Sequence, residues 1–257
     1  MKLTWYGTAS IKFETEHTNF ITDPFVPLTG SKVPIKITDF DNCQNILVSH
    51  GHFDHIMNIP EIVYRNPNTK VFCSKTPAAS LRREGVPAKN IQIIKPGDTI
   101  SLGDITIEVF KGRHSNLEIH SLKTLLKPSN YIGLTNLPII YRLNRKFPEN
   151  GETLFFNLKH QGKTISILGS LCLDPAINYP TNSDLLIMPY SGKRNNFIWA
   201  KAIMDELNPK QAMLYHFDVT YPPLFMPVDL QPFIDYYRDR CIIPSHGRTM
   251  TFPFLDN

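Results

Sequence analysis

Charge is scarce in this chain. Lys and Arg number 27 and Asp and Glu 23, together 19% of 257 residues, below the roughly 25% usual for soluble domains. No block of five or six like charges occurs. A chain held open by its own charge is excluded, because hydrophobic residues make up 42% and can build a core. The net charge of +4 is mild and scattered, and it gives no basic stripe of the kind nucleic-acid binding uses. Long apolar runs are lacking too: none approaches the roughly 18 residues of a membrane-spanning helix. Lys12, Glu14 and Glu16 lie where a secretory leader would need an unbroken apolar stretch. Cys43, Cys73, Cys172 and Cys241 form no C-x-x-C unit, which suits a reducing compartment better than a disulfide scaffold. The expectation is a cytoplasmic globular protein with no membrane partner, built as a single domain over residues 1–257.

Residues 3–6, 10–14 and 19–22 read as three short strands of an antiparallel meander, separated by Gly7-Thr8 and by Glu16-His17-Thr18. Residues 45–49 are a buried-strand run that delivers the chain into His50. Helices are expected over 59–64 and 77–84, the second closed by Gly85, with a strand over 71–73 between them. Strands follow at 91–94, 99–102 and 105–110. Residues 115–150 carry Pro128, Gly133, Pro138 and Pro148 with no sustained period, and read as an insertion or lid. A hairpin over 154–158 and 164–168 then leads to strands at 184–188, 212–215 and 241–243, with helices at 197–207 and 230–238 between them. The second half repeats the order of the first in outline, which places the chain in the mixed α/β (α+β) class.

The chemistry concentrates in Ser49-His50-Gly51-His52-Phe53-Asp54-His55, four potential metal ligands packed into six residues after a buried strand. In an extended segment alternate residues share a face, so His50 and His52 can point at one ion, while the following turn aims Asp54 and His55 at a neighbouring point. A solvated histidine-rich loop would have the same composition, but imidazoles crowded this closely repel when protonated and have no core to enter.

The pattern H-x-H-x-D-H after an apolar strand resembles the signature of the metallo-β-lactamase fold superfamily. Leu3-Thr4-Trp5-Tyr6-Gly7, Ile21-Thr22-Asp23-Pro24-Phe25 and Tyr215-His216-Phe217 with Tyr221-Pro222-Pro223-Leu224 are similar to the branch of ascorbate-6-phosphate lactonase-like hydrolases. The resemblance implies a four-layer αββα sandwich with metals at one sheet edge. It implies that His114, in Lys111-Gly112-Arg113-His114-Ser115, joins His50 and His52 on one metal, and that Asp54, His55 and His216 hold a second. Zn2+ is the implied ion, with Mn2+ and Fe2+ as alternatives. Three imidazoles with one open position make a catalytic zinc site, so the implied function is hydrolysis of a lactone, ester or phosphodiester, with Asp54 orienting or deprotonating the attacking water.

Three departures qualify the resemblance. Where family members place an aspartate bridging both metals, this chain has Ser170 after Gly169. A neutral hydroxyl is a poor ligand for a dication, so the second site should be weaker, or be completed by Cys172 or Asp174. Thr8 stands where the branch often carries histidine, and Ser245-His246-Gly247 where it often has Gly-Glu. His246 is a proton donor beside the metals or part of a surface turn. Asp23 either hydrogen-bonds a ligand histidine or starts the Asp-Pro turn. Lys193 and Arg194 either steer an anionic substrate or are solvated. The apolar residues of the insertion either roof the pocket or face a second copy in a homo-oligomer. The expected partner is a small molecule. The competing readings are a catalytically degenerate regulatory protein, motivated by Ser170, and a nuclease of the same superfamily, motivated by His246.

Overall fold

The computed structural model describes residues 1–116, 134–223 and 227–254. Strands β1 (Lys2–Gly7), β2 (Ser10–Glu14) and β3 (Asn19–Thr22) form the expected meander, each pair antiparallel. Strands β4 (Asn45–Leu47), β5 (Lys70–Cys73) and β6 (Ile91–Ile93) then add in parallel. The pattern recurs in a second sheet. Strands β7 (Thr99–Leu102), β8 (Ile105–Lys111), β9 (Leu154–His160) and β10 (Lys163–Leu168) are antiparallel neighbours. After them β11 (Leu185–Pro189), β12 (Gln211–Tyr215) and β13 (Cys241–Ile242) add in parallel. Finally β14 (Thr249–Thr251) returns to the first sheet beside β1, giving two sheets of seven strands.

Helices cover the outer faces: α1 (Phe53–Ile56), α2 (Ile59–Arg65), α3 (Lys75–Arg83) and α4 (Leu137–Lys146) on the first sheet, α5 (Asn196–Leu207) and α6 (Gln231–Tyr237) on the second. The side-chain alternation of the strands makes the layering. In β4 and β5, Leu47 and Phe72 face the other sheet while Ile46, Val71 and Cys73 face helices. In β11 and β12, Leu185, Ile187, Met213 and Tyr215 join the inter-sheet core, and Leu186, Met188, Ala212 and Leu214 pack on α5 and α6. Strands buried on both faces explain why these runs are apolar without interruption. The four-layer αββα sandwich is thus the fold, and each fully buried Leu or Ile adds about 1.5–3 kcal/mol to holding it.

One expectation needs correction, and one strand escaped the sequence reading. Residues 115–150 are not without period throughout, because 137–146 form α4, whose Ile140 is buried, with Phe147 after it, in the helix-side core of the first sheet. Pro138 does not break this helix; it sits in the first turn, where no intrahelical donor is needed. Part of the insertion is therefore core, and the stretch from 117 to 133 lies outside the described residues. The short polar strand β14 carried no apolar signal, since it is an edge strand held by ladder bonds between Lys2–Thr4 and Thr249–Thr251. No helix among the described residues is long and apolar enough to cross a membrane.

Candidate metal centre

The loops that leave β3, β4, β8, β10, β11 and β12 meet at one edge of the sandwich. They bring Asp23, His50, His114, Ser170, Ser191 and His216 to a common place. A cavity of about 120 Å³ there is lined by all six residues expected as ligands. Two groups form within it: His50, His52 and His114, and Asp54, His55 and His216, the donor atoms of each lying within 4.8 Å of one another. The extended backbone at His52 and the single turn of α1 produce the division expected from the sequence. The groups adjoin, with the His50 and His55 rings 3.8 Å apart at their centroids.

The outer nitrogens of three of the rings, His50, His55 and His216, are engaged, and this fixes which of their nitrogens faces the cavity. Asp23 accepts from the Ser49 N–H at 2.7 Å and from the Ser49 hydroxyl at 2.6 Å. Its carboxylate also lies 3.0 Å from His55 Nδ1. Because the single Ser49 proton goes to Asp23, Ser49 Oγ can only accept from His50 Nδ1, 3.0 Å away. His50 Nε2 is left bare, 3.2 Å from His52 Nδ1. Ser191 Oγ lies 3.3 Å from His216 Nδ1, and His216 Nε2 faces Asp54 Oδ2 at 3.2 Å. Tyr221 donates its hydroxyl to that same Asp54 oxygen at 2.8 Å. Asp23 thus makes a carboxylate-to-histidine contact of the kind that orients ligating rings in metal sites.

The electrostatics suit a cation. Burial first, and then its histidine neighbours, push His50 well below the usual imidazole range. Burial likewise lowers His52, and it lowers His114 to about 4. Burial works against the charge of Asp54, but His55 and His216 outweigh it and hold the carboxylate ionised. His55 is raised, since Asp54 and Asp23 outweigh its burial. Three imidazoles held below their usual range, with two more beside an ionised carboxylate, are the kind of donor set a divalent transition metal takes, so the residues present fit such an ion.

The backbone is strained where it turns into this edge. Thr8, Asp23 and His216 have φ of 45°, 41° and 58°, values that cost a non-glycine residue about 1–3 kcal/mol and persist only when the surroundings impose them. Two glycines let chains approach closely. A Cβ on Gly169 would sit 2.8 Å from Leu154 O and Ser49 Cβ, and one on Gly51 would sit 2.4 Å from Pro148 O. Since the Pro148 obstacle is backbone, Gly51→Ala should lower stability by about 1–3 kcal/mol and displace His50 and His52. A thermal melt unchanged to within a degree, with unchanged metal content, would refute that expectation.

Other expected residues fall outside the cavity. His246 stacks on Trp5, ring centroids 4.3 Å apart, and its Nε2 lies 2.9 Å from Asp218 Oδ2. Asp218 in turn accepts from the Thr8 N–H at 3.0 Å, and Thr8 O accepts from the His216 N–H at 2.9 Å. The return of β14 beside β1 sets His246 on Trp5 and Asp218, and it is not among the residues that line the cavity. Asp174 pairs with Lys111 at 2.8 Å and Cys172 Sγ faces Leu173 O, so neither lines the six-donor cavity. Ser170 does line it, accepting the Ser115 N–H at 3.0 Å. Lys193 is buried rather than solvated: its ammonium donates to Asn116 O at 3.0 Å and lies 4.3 Å from the Trp199 ring centre. Sequence reading missed Ser49, Ser191 and Asp218; a polar residue directly after an apolar strand was the available signal for the first.

Comparison with known proteins agrees with this architecture. A 116-residue stretch is 32% identical to a UPF0173 metal-dependent hydrolase of Koribacter versatilis, covering 45% of this chain and 48% of that protein. A stretch of the same length is 29% identical to a UPF0173 metal-dependent hydrolase of Methanopyrus kandleri, with the same coverage. The chain thus spans about half the length of the curated relatives it matches. In solved structures the fold recurs nearly end to end. Igni18, a metallo hydrolase from Ignicoccus hospitalis, superposes with a TM-score of 0.68 at 17% identity, over 99% of each chain. An isothiocyanate hydrolase from Delia radicum gut bacteria does so at 0.66 and 16%, over 98% of this chain and 99% of that one. The family model described as the Beta-lactamase superfamily domain matches residues 18–228, a span that takes in all six candidate donors and most of both sheets. This chain belongs to the beta-lactamase superfamily.

Proposed function

We propose that this chain is a metal-dependent hydrolase, in which His50, His52 and His114 hold one divalent ion and Asp54, His55 and His216 a second, weaker one. The observation that carries the reading is the convergence of these six donors on one cavity, with Asp23, Ser49 and Ser191 turning three of the rings. The names of the Koribacter and Methanopyrus relatives support it. Zn2+ is the ion that an imidazole-rich set favours, with Mn2+ or Fe2+ as substitutes. Such an ion, when bound, polarises a carbonyl or phosphoryl oxygen and acidifies water.

The chain's own groups do the rest. Asp54 stays ionised, and the Tyr221 hydroxyl fixes its Oδ2, which leaves Oδ1 to orient a water or take its proton. Phe53, Leu171 and Pro189 supply an apolar wall that keeps bulk water off the reacting bond. A cavity of about 120 Å³ is far below the roughly 300–1,000 Å³ of a whole-ligand site, so it takes only the reacting group of a small molecule. A lactone, ester or phosphodiester has such a group, and the likeness to the lactonase-like branch favours the lactone. The four free thiols fit a cytoplasmic setting.

A second reading, a regulatory protein with a degenerate site, rests on the Ser170 hydroxyl standing in the cavity. The test is elemental analysis of protein purified without added metal, followed by a panel of lactone, aryl ester and phosphodiester substrates with and without chelator. Turnover that chelator abolishes and metal restores supports the hydrolase. Stoichiometric metal without turnover favours the regulatory reading, and protein that takes up no metal overturns both.

A further inference from the structure

Beside the metal cavity lies a second hollow of about 370 Å³, and His114 lines both. Lys111, Arg113, Asn116, Glu149 and Asp174 complete its polar walls. The charges there are not equally available. Asp174 is taken up by Lys111 Nζ at 2.8 Å and by the Ala176 N–H at 3.1 Å. Glu149 accepts from the Gly151 N–H and the Thr153 hydroxyl, each at 2.7 Å. Arg113 is exposed and lines this mouth; its charge reaches Asp174, but it makes no ion pair or hydrogen bond among the described residues.

The backbone that carries Arg113 is fixed on both sides. Lys111 O accepts from the Tyr179 hydroxyl at 2.8 Å, the Gly112 N–H donates to Thr153 O at 2.8 Å, and the Ser115 N–H donates to Ser170 Oγ at 3.0 Å. Gly112 itself is wedged, since a Cβ there would lie 3.0 Å from Thr153 Cγ2. A guanidinium hung from a fixed backbone, one residue from a histidine of the metal cavity, is arranged to receive an anion. Its planar fork matches a carboxylate or phosphate through paired hydrogen bonds. The two hollows also divide the work by size, the smaller fitting a reacting bond and the larger fitting the remainder of a small substrate.

We propose that the hollow at Arg113 is the subsite for an oxyanion group of the substrate, a carboxylate or a phosphate, whose scissile bond lies in the cavity on the other side of His114. This rests on the hydrolase reading above and narrows its substrate class to anions.

The test uses the full chain loaded with zinc and calorimetric titration of phenyl phosphate, benzoate and neutral benzamide into wild type, Arg113→Gln and Arg113→Lys. Arg113→Gln should weaken phenyl phosphate or benzoate by about tenfold or more, leave benzamide unchanged and keep the metal content of wild type. The more affected anion identifies the group. Arg113→Lys retains the charge and should lose less, which decides the matter where glutamine unsettles His114. Equal affinity of both anions for wild type and both variants overturns the proposal. In a kinetic arm, a matched pair of esters, one neutral and one carrying the favoured anion, should show a KM rise of about tenfold for the charged ester alone in Arg113→Gln. An equal KM overturns the substrate role. Absence of turnover of either ester by wild type overturns the hydrolase reading instead, and the binding arm still decides the anion site.

Discussion

Alanine at His50 or His114 is expected to strip the tighter metal and to lower hydrolysis by three orders of magnitude or more. The reasoning is one of ligand count. These residues belong to a set of three whose donor atoms lie within 4.8 Å of one another, and a site that loses one of three imidazoles loses much of its coordination free energy. The effect of His50→Ala should reach further than the lost ligand. Its Nδ1 is held by Ser49 Oγ, which Asp23 also uses to hold the loop, so both trios should loosen. His114→Ala should be cleaner, because that ring approaches the cluster from the end of the second sheet and shares no hydrogen bond with Asp23. Metal content by elemental analysis, read beside the thermal melt of each variant, separates ligand loss from misfolding. Metal content equal to wild type in both variants would remove these residues from the site.

Much of this architecture was legible from periodicity because the fold is layered. Strands buried on both faces, such as 185–189 and 211–215, read as continuous apolar runs, and α5 closed close to its expected end because Asn208 adopts the left-handed conformation there. The histidine cluster was legible because its spacing is local: four potential ligands fall within six residues of one loop. What was not legible depends on tertiary contact. The helix over 137–146 was obscured by prolines, one of which sits in its first turn, and by an apolar stripe that puts only Ile140 fully into the core. The surroundings of His246 were not legible either, since a strand too short and polar to notice carries it onto Trp5 and Asp218, outside the lining of the cavity. Asp218 meets the Thr8 N–H across 210 residues and Ser191 meets His216 across 25, separations that no local pattern encodes.

Ser170→Asp is expected to change the metal count of the protein from about one tightly held ion to about two. The donor set contains a single carboxylate, Asp54, among five imidazoles, so two dications would meet with only one negative charge between them. Like charges are costly at such range: two unit charges 4 Å apart repel by about 4 kcal/mol at an effective dielectric of ~20. The Ser170 hydroxyl reduces that repulsion little. Its position is nonetheless suited to a carboxylate, since it lines the cavity with all six donors and accepts the Ser115 N–H at 3.0 Å, a bond that an aspartate oxygen can also accept. The substitution should therefore have opposite effects with and without metal. Without metal, a second buried carboxylate lacks a counter-charge and the melting temperature should fall below that of wild type; with metal, the ion that pairs with it should restore the difference, because a ligand bound only by the folded state stabilises that state. Dialysis against a chelator followed by elemental analysis gives the count, and paired melts give the sign reversal. Wild-type protein that retains two equally tight ions through the same dialysis would show that the missing charge is not limiting, and the weakened second site would have to be abandoned.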